Sequence, residues 1–397
     1  MRVLLLNDYA TPTAGAERLA LALRDGLRAR GHTVRVLSSR AVLIPGLSFA
    51  DATCFGATGR LQTLSATANP SAAWALRREL ARFRPDVVHV GMYRWQLSPL
   101  ILPLLRGVPS VYHPMVYKAV CPSGSKLLPD GTDCREPAGW ACLRNGCLTP
   151  LGFGPLLLQH HLGRMGHGVF SRVVAVSEAV RSRLVQDGLR VDGVLWPGVH
   201  EVAARPPLQG PPTLSYAGRL AREKGVDCLL QALASVRERV PEARLLIAGT
   251  GPEEKTLRSL VGSLGLGDAV DFLGQLDPPA MERALGQAWA HAVPSQWAEP
   301  FGLTAVEAMM RGTAVVTSRA GGLAESVVDG ETGFIVPPGD VAALADRLGV
   351  LLSDRPLAER MGAAGRARAR AHFTTDRYVE AFERLFQSLL PLPAHAA

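Results

Sequence analysis

Two glutamates, Glu299 and Glu307, close the run Glu-Pro-Phe-Gly-Leu-Thr-Ala-Val-Glu. Glu307 falls in a helical pattern that continues through Ala308, Met309 and Met310, and Glu299 stands in the loop before it. One carboxylate lies at a helix entrance and the other about one turn inside, a pair suited to gripping neighbouring sugar hydroxyls. Between them, the backbone N–H groups of Gly302 and Leu303 lie at the helix start, where the dipole favours a phosphate. Upstream, Arg219 and Lys224 share the carboxyl end of a strand, and two cations there can neutralise a diphosphate leaving group. Gly249-Thr250-Gly251-Pro252 repeats the strand, glycine turn and helix design, and Gly274 ends a third such strand. Alone, Glu307 reads equally as a surface acid; beside Arg219, Lys224 and the glycine turns it reads as part of a site.

A looser glycine loop, Pro12 to Glu17, opens the chain. Gly15 there can adopt positive φ or admit a ligand to the backbone, and a simple turn is the competing reading. The full G-x-G-x-x-G and Walker A patterns are absent. Leu37-Ser38-Ser39-Arg40 stands where a dinucleotide enzyme would carry an acid, so that class is unsupported.

These residues need strand ends and helix starts to hold them. Val3 to Leu6 reads as a strand, Glu17 to Arg30 as a helix with Leu19, Leu23 and Leu27 on one face, and Thr33 to Ser38 as the next strand. Such a βαβ opening predicts a mostly parallel sheet with helices on both faces. Residues 41–70 lack a period and are expected to be irregular. Residues 114–150 read as a loop insertion near an active-site cleft. The run 201–212, EVAARPPLQGPP, is a linker by composition. The pattern restarts at Thr213, with strands expected through Gly333 to Val336 and a last helix over about Thr375 to Leu389. The division is therefore an N-terminal domain 1–200, a linker 201–212, a second domain 213–374 and a C-terminal helix 375–397 that could pack on either one.

Composition excludes several classes. The 397 residues are 47% hydrophobic and 20% charged, as in an ordinary folded protein. A net charge of +8, from 43 Lys and Arg against 35 Asp and Glu, suits anionic ligands and does not call for nucleic acid. Val3 to Leu6 is too short for a signal-peptide core, and no run is long enough for a membrane span. A cytoplasmic location is the expectation, with peripheral attachment to a membrane left open. Cys121, Cys134, Cys142 and Cys147 cluster without paired C-x-x-C spacing. Free thiols, a metal site and a disulfide remain as three readings of them.

The motifs together resemble the retaining GT-B glycosyltransferases of the large family four group, whose mark is E-x7-E. The matching runs are the Gly15 loop, PDVVHV at Pro85 to Val90, VVAVSE at Val173 to Glu178, GRLAREKG at Gly218 to Gly225, IAGTGPE at Ile247 to Glu253, EPFGLTAVEAM at Glu299 to Met309, and the stretch Ala320 to Asp340. The resemblance implies an α/β fold of two Rossmann-like doubly wound domains facing a central cleft. The first would bind the acceptor and the second a nucleotide-diphosphate sugar.

By resemblance, Arg219 and Lys224 hold the diphosphate, Glu307 the ribose hydroxyls, and Glu299 the transferred sugar, helped by amides at Phe301, Gly302 and Leu303. Gly249, Gly251 and Gly274 shape the nucleoside pocket, and Gly15 approaches the phosphates from the other domain. The implied chemistry is metal-independent front-face transfer without a cofactor, from a UDP-sugar ahead of a GDP-sugar, to a small-molecule, glycan or lipid-linked acceptor. Relatives often carry a histidine after the strand Val108 to Tyr112. His113 is the expected counterpart, although registering on Tyr117 to Pro122 would put Met115 there. His89 is expected to be structural, with Gly91 where many relatives have a second histidine. Trp196-Pro197-Gly198-Val199-His200 departs from the usual Asn-Gly-Val-Asp. A sugar-nucleotide epimerase or hydrolase and a non-catalytic sugar-nucleotide binding protein are the competing functions.

Overall fold

The computed structural model describes residues 1–44 and 46–391; the last six positions of the expected segment 375–397 lie outside the described residues. Contacts divide the chain into two units, Met1–Gly198 with the segment from Thr375 on, and Val199–Thr374.

The first unit begins β1 (Arg2–Leu6), α1 (Gly15–Ala29) and β2 (Thr33–Ser39). The stretch expected to be irregular contains β3 (Ala52–Cys54) and α2 (Arg60–Thr67). It shows no inward apolar period because α2 buries Ser65, Ala66 and Thr67 while Leu61 and Leu64 stand exposed. Then follow α3 (Pro70–Phe83), β4 (Val87–Val90), β5 (Ser110–Tyr112), α4 (Trp140–Arg144), α5 (Pro150–Met165), β6 (Arg172–Ala175), α6 (Glu178–Gln186) and β7 (Gly193–Val194). Asn69 caps α3, accepting a hydrogen bond from Ala72 N, with Pro70 at the first helical position where its missing N–H costs nothing. The seven strands are parallel in the order β3-β2-β1-β4-β5-β6-β7. Val3, Leu4, Leu5 and Leu6 are all buried, as a strand covered on both faces requires.

The second unit runs β8 (Thr213–Ala217), α7 (Val226–Arg237), β9 (Arg244–Ala248), α8 (Glu254–Ser263), β10 (Val270–Gly274), α9 (Pro278–Leu285) and β11 (Ala290–Val293). It continues through α10 (Leu303–Arg311), β12 (Ala314–Ser318), α11 (Leu323–Ser326), β13 (Gly333–Val336), α12 (Val341–Ser353) and α13 (Arg355–His372). Its parallel sheet has the order β10-β9-β8-β11-β12-β13. Leu229 and Leu233 of α7 and Leu344, Leu348 and Leu351 of α12 pack over Leu214, Leu245 and Ile247 in one core. Residues 201–212 lie within this unit: Leu208 is buried, its N–H donating to Glu359 Oε1 at 2.9 Å, and Arg205 N donates to Arg311 O at 2.9 Å.

The closing helix, α14 (Thr375–Gln387), packs on α1 in the first unit. The two come so close at Gly26 that a Cβ there would stand 2.4 Å from Val379 Cγ2. Val379, Phe382 and Phe386 are wholly buried, and Glu383 pairs with Arg30 at 3.0 Å.

Candidate active site

In an open parallel sheet, a crevice forms where consecutive connections leave in opposite directions, outside the carboxyl ends of the strands. In the second unit that point lies between β8 and β11. The chain leaves β8 toward β9 and β10, then returns to β8's other edge as β11. The loops that follow these two strands carry Arg219 and Lys224 on one side and Glu299 on the other.

The loops are knitted together. The Glu223 carbonyl accepts from Gln296 N at 2.9 Å, Trp297 N at 3.3 Å and Ser295 Oγ at 3.1 Å. Across this seam Lys224 Nζ donates to Glu299 Oε1, and the ammonium lies 5.0 Å from the centre of the Trp297 ring. Glu299 is 8% exposed, so the ion pair is shielded from water. Its backbone is fixed by Gly322 N, which donates to Glu299 O at 2.7 Å. Arg219 has 64% of its side chain exposed and pairs with Glu223 at 2.5 Å. Tyr216 stands beneath, donating to Arg219 O at 3.1 Å. Burial pushes its phenol pKa up, and the charges of Glu299 and Glu223 add to that.

The glycines serve backbone approach. Gly218, Gly249 and Gly274 end the adjacent strands β8, β9 and β10, with Gly218 N donating to Ala248 O and Gly249 N to Gly274 O. A Cβ on Gly249, which has φ +134°, would stand 1.9 Å from Gly218 O, and one on Gly251 would stand 2.1 Å from Leu220 O. No side chain fits between these turns. Gly302 precedes α10 at φ +94° and leaves its N-terminus without a side-chain cap. First-turn amides can therefore meet an anion. Phe301 is buried against Phe373, at 5.6 Å between ring centres, and anchors the turn. Glu307 sits half-buried one turn beyond Leu303.

The first unit has its own switch point between β1 and β4. Asp8, directly after β1, accepts from Trp95 N at 2.9 Å, Gln96 N at 2.8 Å and Leu97 N at 2.9 Å, joining the loops behind the two strands. Burial raises its pKa to about 6 against the opposing pull of those amides. Lys118 is buried over the Trp95 ring at 4.1 Å and donates to Pro122 O; burial lowers its pKa to about 8. The sequence reading missed both. Asn7-Asp8 immediately after an apolar strand was the available signal; nothing marked Lys118. Gly15 is the first residue of α1 and has no positive φ, so of the readings open for it that one falls away.

His113, the expected catalytic histidine, is wholly buried. His113 N donates to Val90 O at 2.8 Å, prolonging the β4–β5 pairing and turning the ring into the sheet face covered by α14. The ring is 0% exposed, 4.9 Å from Phe382 and 5.6 Å from His89. Burial, reinforced by His89, holds it far below the usual imidazole range. Met115, in the alternative register, lies nearer the crevice: a Cβ on Gly91 would stand 3.2 Å from Met115 Cε and 2.9 Å from Asn7 Oδ1. All six cysteines are free thiols, and among the described residues no three His, Cys, Asp or Glu side chains are arranged to hold a metal ion.

Residues 201–368 match the family model of Glycosyl transferases group 1, and residues 13–114 match Glycosyltransferase Family 4. A phosphatidyl-myo-inositol mannosyltransferase of Mycobacterium tuberculosis is 31% identical over 385 residues, 94% of this chain and 93% of that protein. The chain belongs to the group 1, family 4 glycosyltransferases. A glycogen synthase of the same species is 38% identical over 216 residues, 52% of this chain and 51% of the synthase, so the chain spans about half the length of that relative. Sucrose-phosphate synthase from Thermosynechococcus elongatus superposes with a TM-score of 0.74 at 21% identity, covering 98% of this chain and 99% of the synthase. Anabaena HepE in complex with UDP superposes at 0.70 with 20% identity, covering 98% and 100%. The fold is the GT-B fold that the resemblance implied. Among the described residues no helix is long and apolar enough to cross a membrane.

Proposed function

We propose that this glycosyltransferase moves a sugar from a nucleoside diphosphate to a hydroxyl acceptor with retention at the anomeric carbon. The observation that carries the reading is the shielded Lys224–Glu299 pair beside the uncapped start of α10. Lys224, held until then by Glu299, turns to the diphosphate, assisted by Arg219. Glu299, so released, accepts hydrogen bonds from the sugar hydroxyls, and Glu307 accepts from the ribose. In front-face transfer the bond from C1 to the phosphate oxygen breaks while the acceptor oxygen bonds to C1 on the same side. The acceptor proton passes to the departing phosphate oxygen. The cations and the amides at Phe301, Gly302 and Leu303 stabilise the charge that develops there. This scheme assigns His113 no proton.

The second unit is the donor-binding one in this reading and the first unit binds the acceptor. A UDP-sugar is the favoured donor; Anabaena HepE was solved with UDP and glucose, whereas a similar Mycolicibacterium smegmatis mannosyltransferase is GDP-mannose-dependent. The test is thermal stabilisation by UDP, GDP and ADP, then transfer from the winning nucleotide's sugars to acceptor panels. Stabilisation and transfer that both vanish in Lys224→Ala and Glu307→Ala support the assignment. Unchanged transfer kinetics in both variants would defeat it. The burial of His113 favours one second reading, a protein that binds the sugar nucleotide without transferring it. That reading wins if nucleotide binds but no donor is consumed with any acceptor.

A further inference from the structure

Exposed apolar surface is unevenly shared. Of the fourteen large apolar side chains exposed among the described residues, thirteen belong to the first unit, and Val350 is the exception. Charge divides the same way. The first unit carries 25 Lys and Arg against 15 Asp and Glu, a net +10, and the second 18 against 20, a net −2. An ordinary folded surface scatters such apolar residues singly and mixes its charges.

The apolar residues concentrate on adjoining helices. On α5, Leu151, Leu158 and Met165 recur every seven residues and so share one face, and all three are exposed. At the start of this stripe the ring of Trp140, 76% exposed on α4, lies 5.0 Å from that of Phe153. Helix α2 is fastened alongside, with Gln159 Nε2 donating to Ala66 O at 2.6 Å and Thr67 Oγ1 to Pro155 O at 3.1 Å. It adds exposed Leu61 and Leu64. No aspartate or glutamate occurs in residues 52–78 or 137–177, the segments that build this ground, whereas Arg144 and His161 stand exposed on it.

Apolar side chains on helices whose own segments carry no carboxylate, in a unit of net positive charge, match an anionic lipid interface better than a protein face, whose own charges would need paired acids. We propose that the α2–α4–α5 face of the first unit docks on the surface of an anionic lipid bilayer. Leu61, Leu64, Trp140, Leu151, Leu158 and Met165 enter the boundary between headgroups and acyl chains, while exposed Arg144 and the net positive charge of the unit meet the lipid phosphates. This inference needs no donor and does not rest on the transfer reading.

The full chain is sedimented with vesicles of phosphatidylcholine alone and of phosphatidylcholine with phosphatidylglycerol. Binding to the anionic vesicles, weakened by salt, is expected, and the double variant Leu158→Glu/Met165→Glu should bind at least about tenfold more weakly. Its melting temperature and its response to UDP should match the parent's, since both positions are exposed. If the double variant does not fold, Leu151→Ser is measured instead and should weaken binding in the same direction. Equal affinity for both vesicle types, no binding, or a folded variant that binds as well as the parent overturns the proposal. So does a dimer in light scattering that the same substitutions dissociate, which would assign the face to a second copy of the chain.

Discussion

Lys224 and Glu299, 75 residues apart, meet as an ion pair across the switch point of the second sheet. A cation suited to phosphate and an acid suited to sugar thus hold each other in the free protein. Each is pre-positioned, and each must give up its partner to a ligand. Breaking a shielded pair by removing one partner leaves an uncompensated charge.

Lys224→Ala is therefore expected to lower kcat/KM by about 10²–10³, the range for loss of one group that stabilises transition-state charge. Glu299→Gln keeps the shape and loses the charge. It should reduce kcat/KM for the sugar nucleotide while leaving the free nucleoside diphosphate bound. Initial-rate kinetics beside calorimetric titration with UDP separate the two effects.

Gly249→Ala tests the stacking of the turns. Its Cβ would meet Gly218 O at 1.9 Å, and the residue's φ of +134° is one that side chains rarely adopt. Destabilisation by at least about 1–3 kcal/mol is expected. A fall of roughly 2–4 °C per kcal/mol in Tm would report it.

His113→Phe should behave as a core substitution. A general base contributes about 10²–10⁴ to the rate. Exchanging the imidazole buried against Phe382 for a phenyl ring should change the melting temperature and leave the pH profile of kcat unmoved. A fall in kcat of that size, with an altered acid limb, would restore His113 to the chemistry. Phe382→Ala opens a cavity beside it and should cost about 3–5 kcal/mol in denaturant unfolding.

Buried histidines give the fold an acid limit. Burial lowers His89 and His291 from 6.5 to about 3. Below pH 6.5 the unfolded chain takes up protons at these positions that the folded chain refuses. Stability is therefore lost as pH falls from 6.5 toward 3, by about 1.4 kcal/mol per pH unit for each histidine. Asp8 runs the other way: its raised folded value means that the folded state holds the proton up to about 6, so Asp8 weakens stability as pH rises from about 4 to 6. The histidines outnumber it, and the net slope should be positive. Denaturant midpoints between pH 4 and 7 for the parent and His89→Phe measure this, the variant having the shallower slope.

Much of the architecture was written locally. Apolar runs such as Val3 to Leu6, closed by polar residues, can only be strands covered on both faces, and alternation with helical periods makes a parallel sheet. Helix α2 escaped because its leucines face outward, against the pattern that periodicity detects. The helices α12 and α13 were not anticipated either, since no motif drew attention to them.

The sequence by itself determined which residues could hold a diphosphate sugar, because glycine turns after strands, cations at strand ends and an acid pair about a helix start are local features. Only the tertiary structure decided who meets whom. It joined Lys224 to Glu299, tied Asp8 to the 95–97 backbone, and shut His113 beneath α14. Those outcomes depend on which strands become neighbours and which sheet face a distant helix covers, and pairing between distant segments leaves no trace in local residue order.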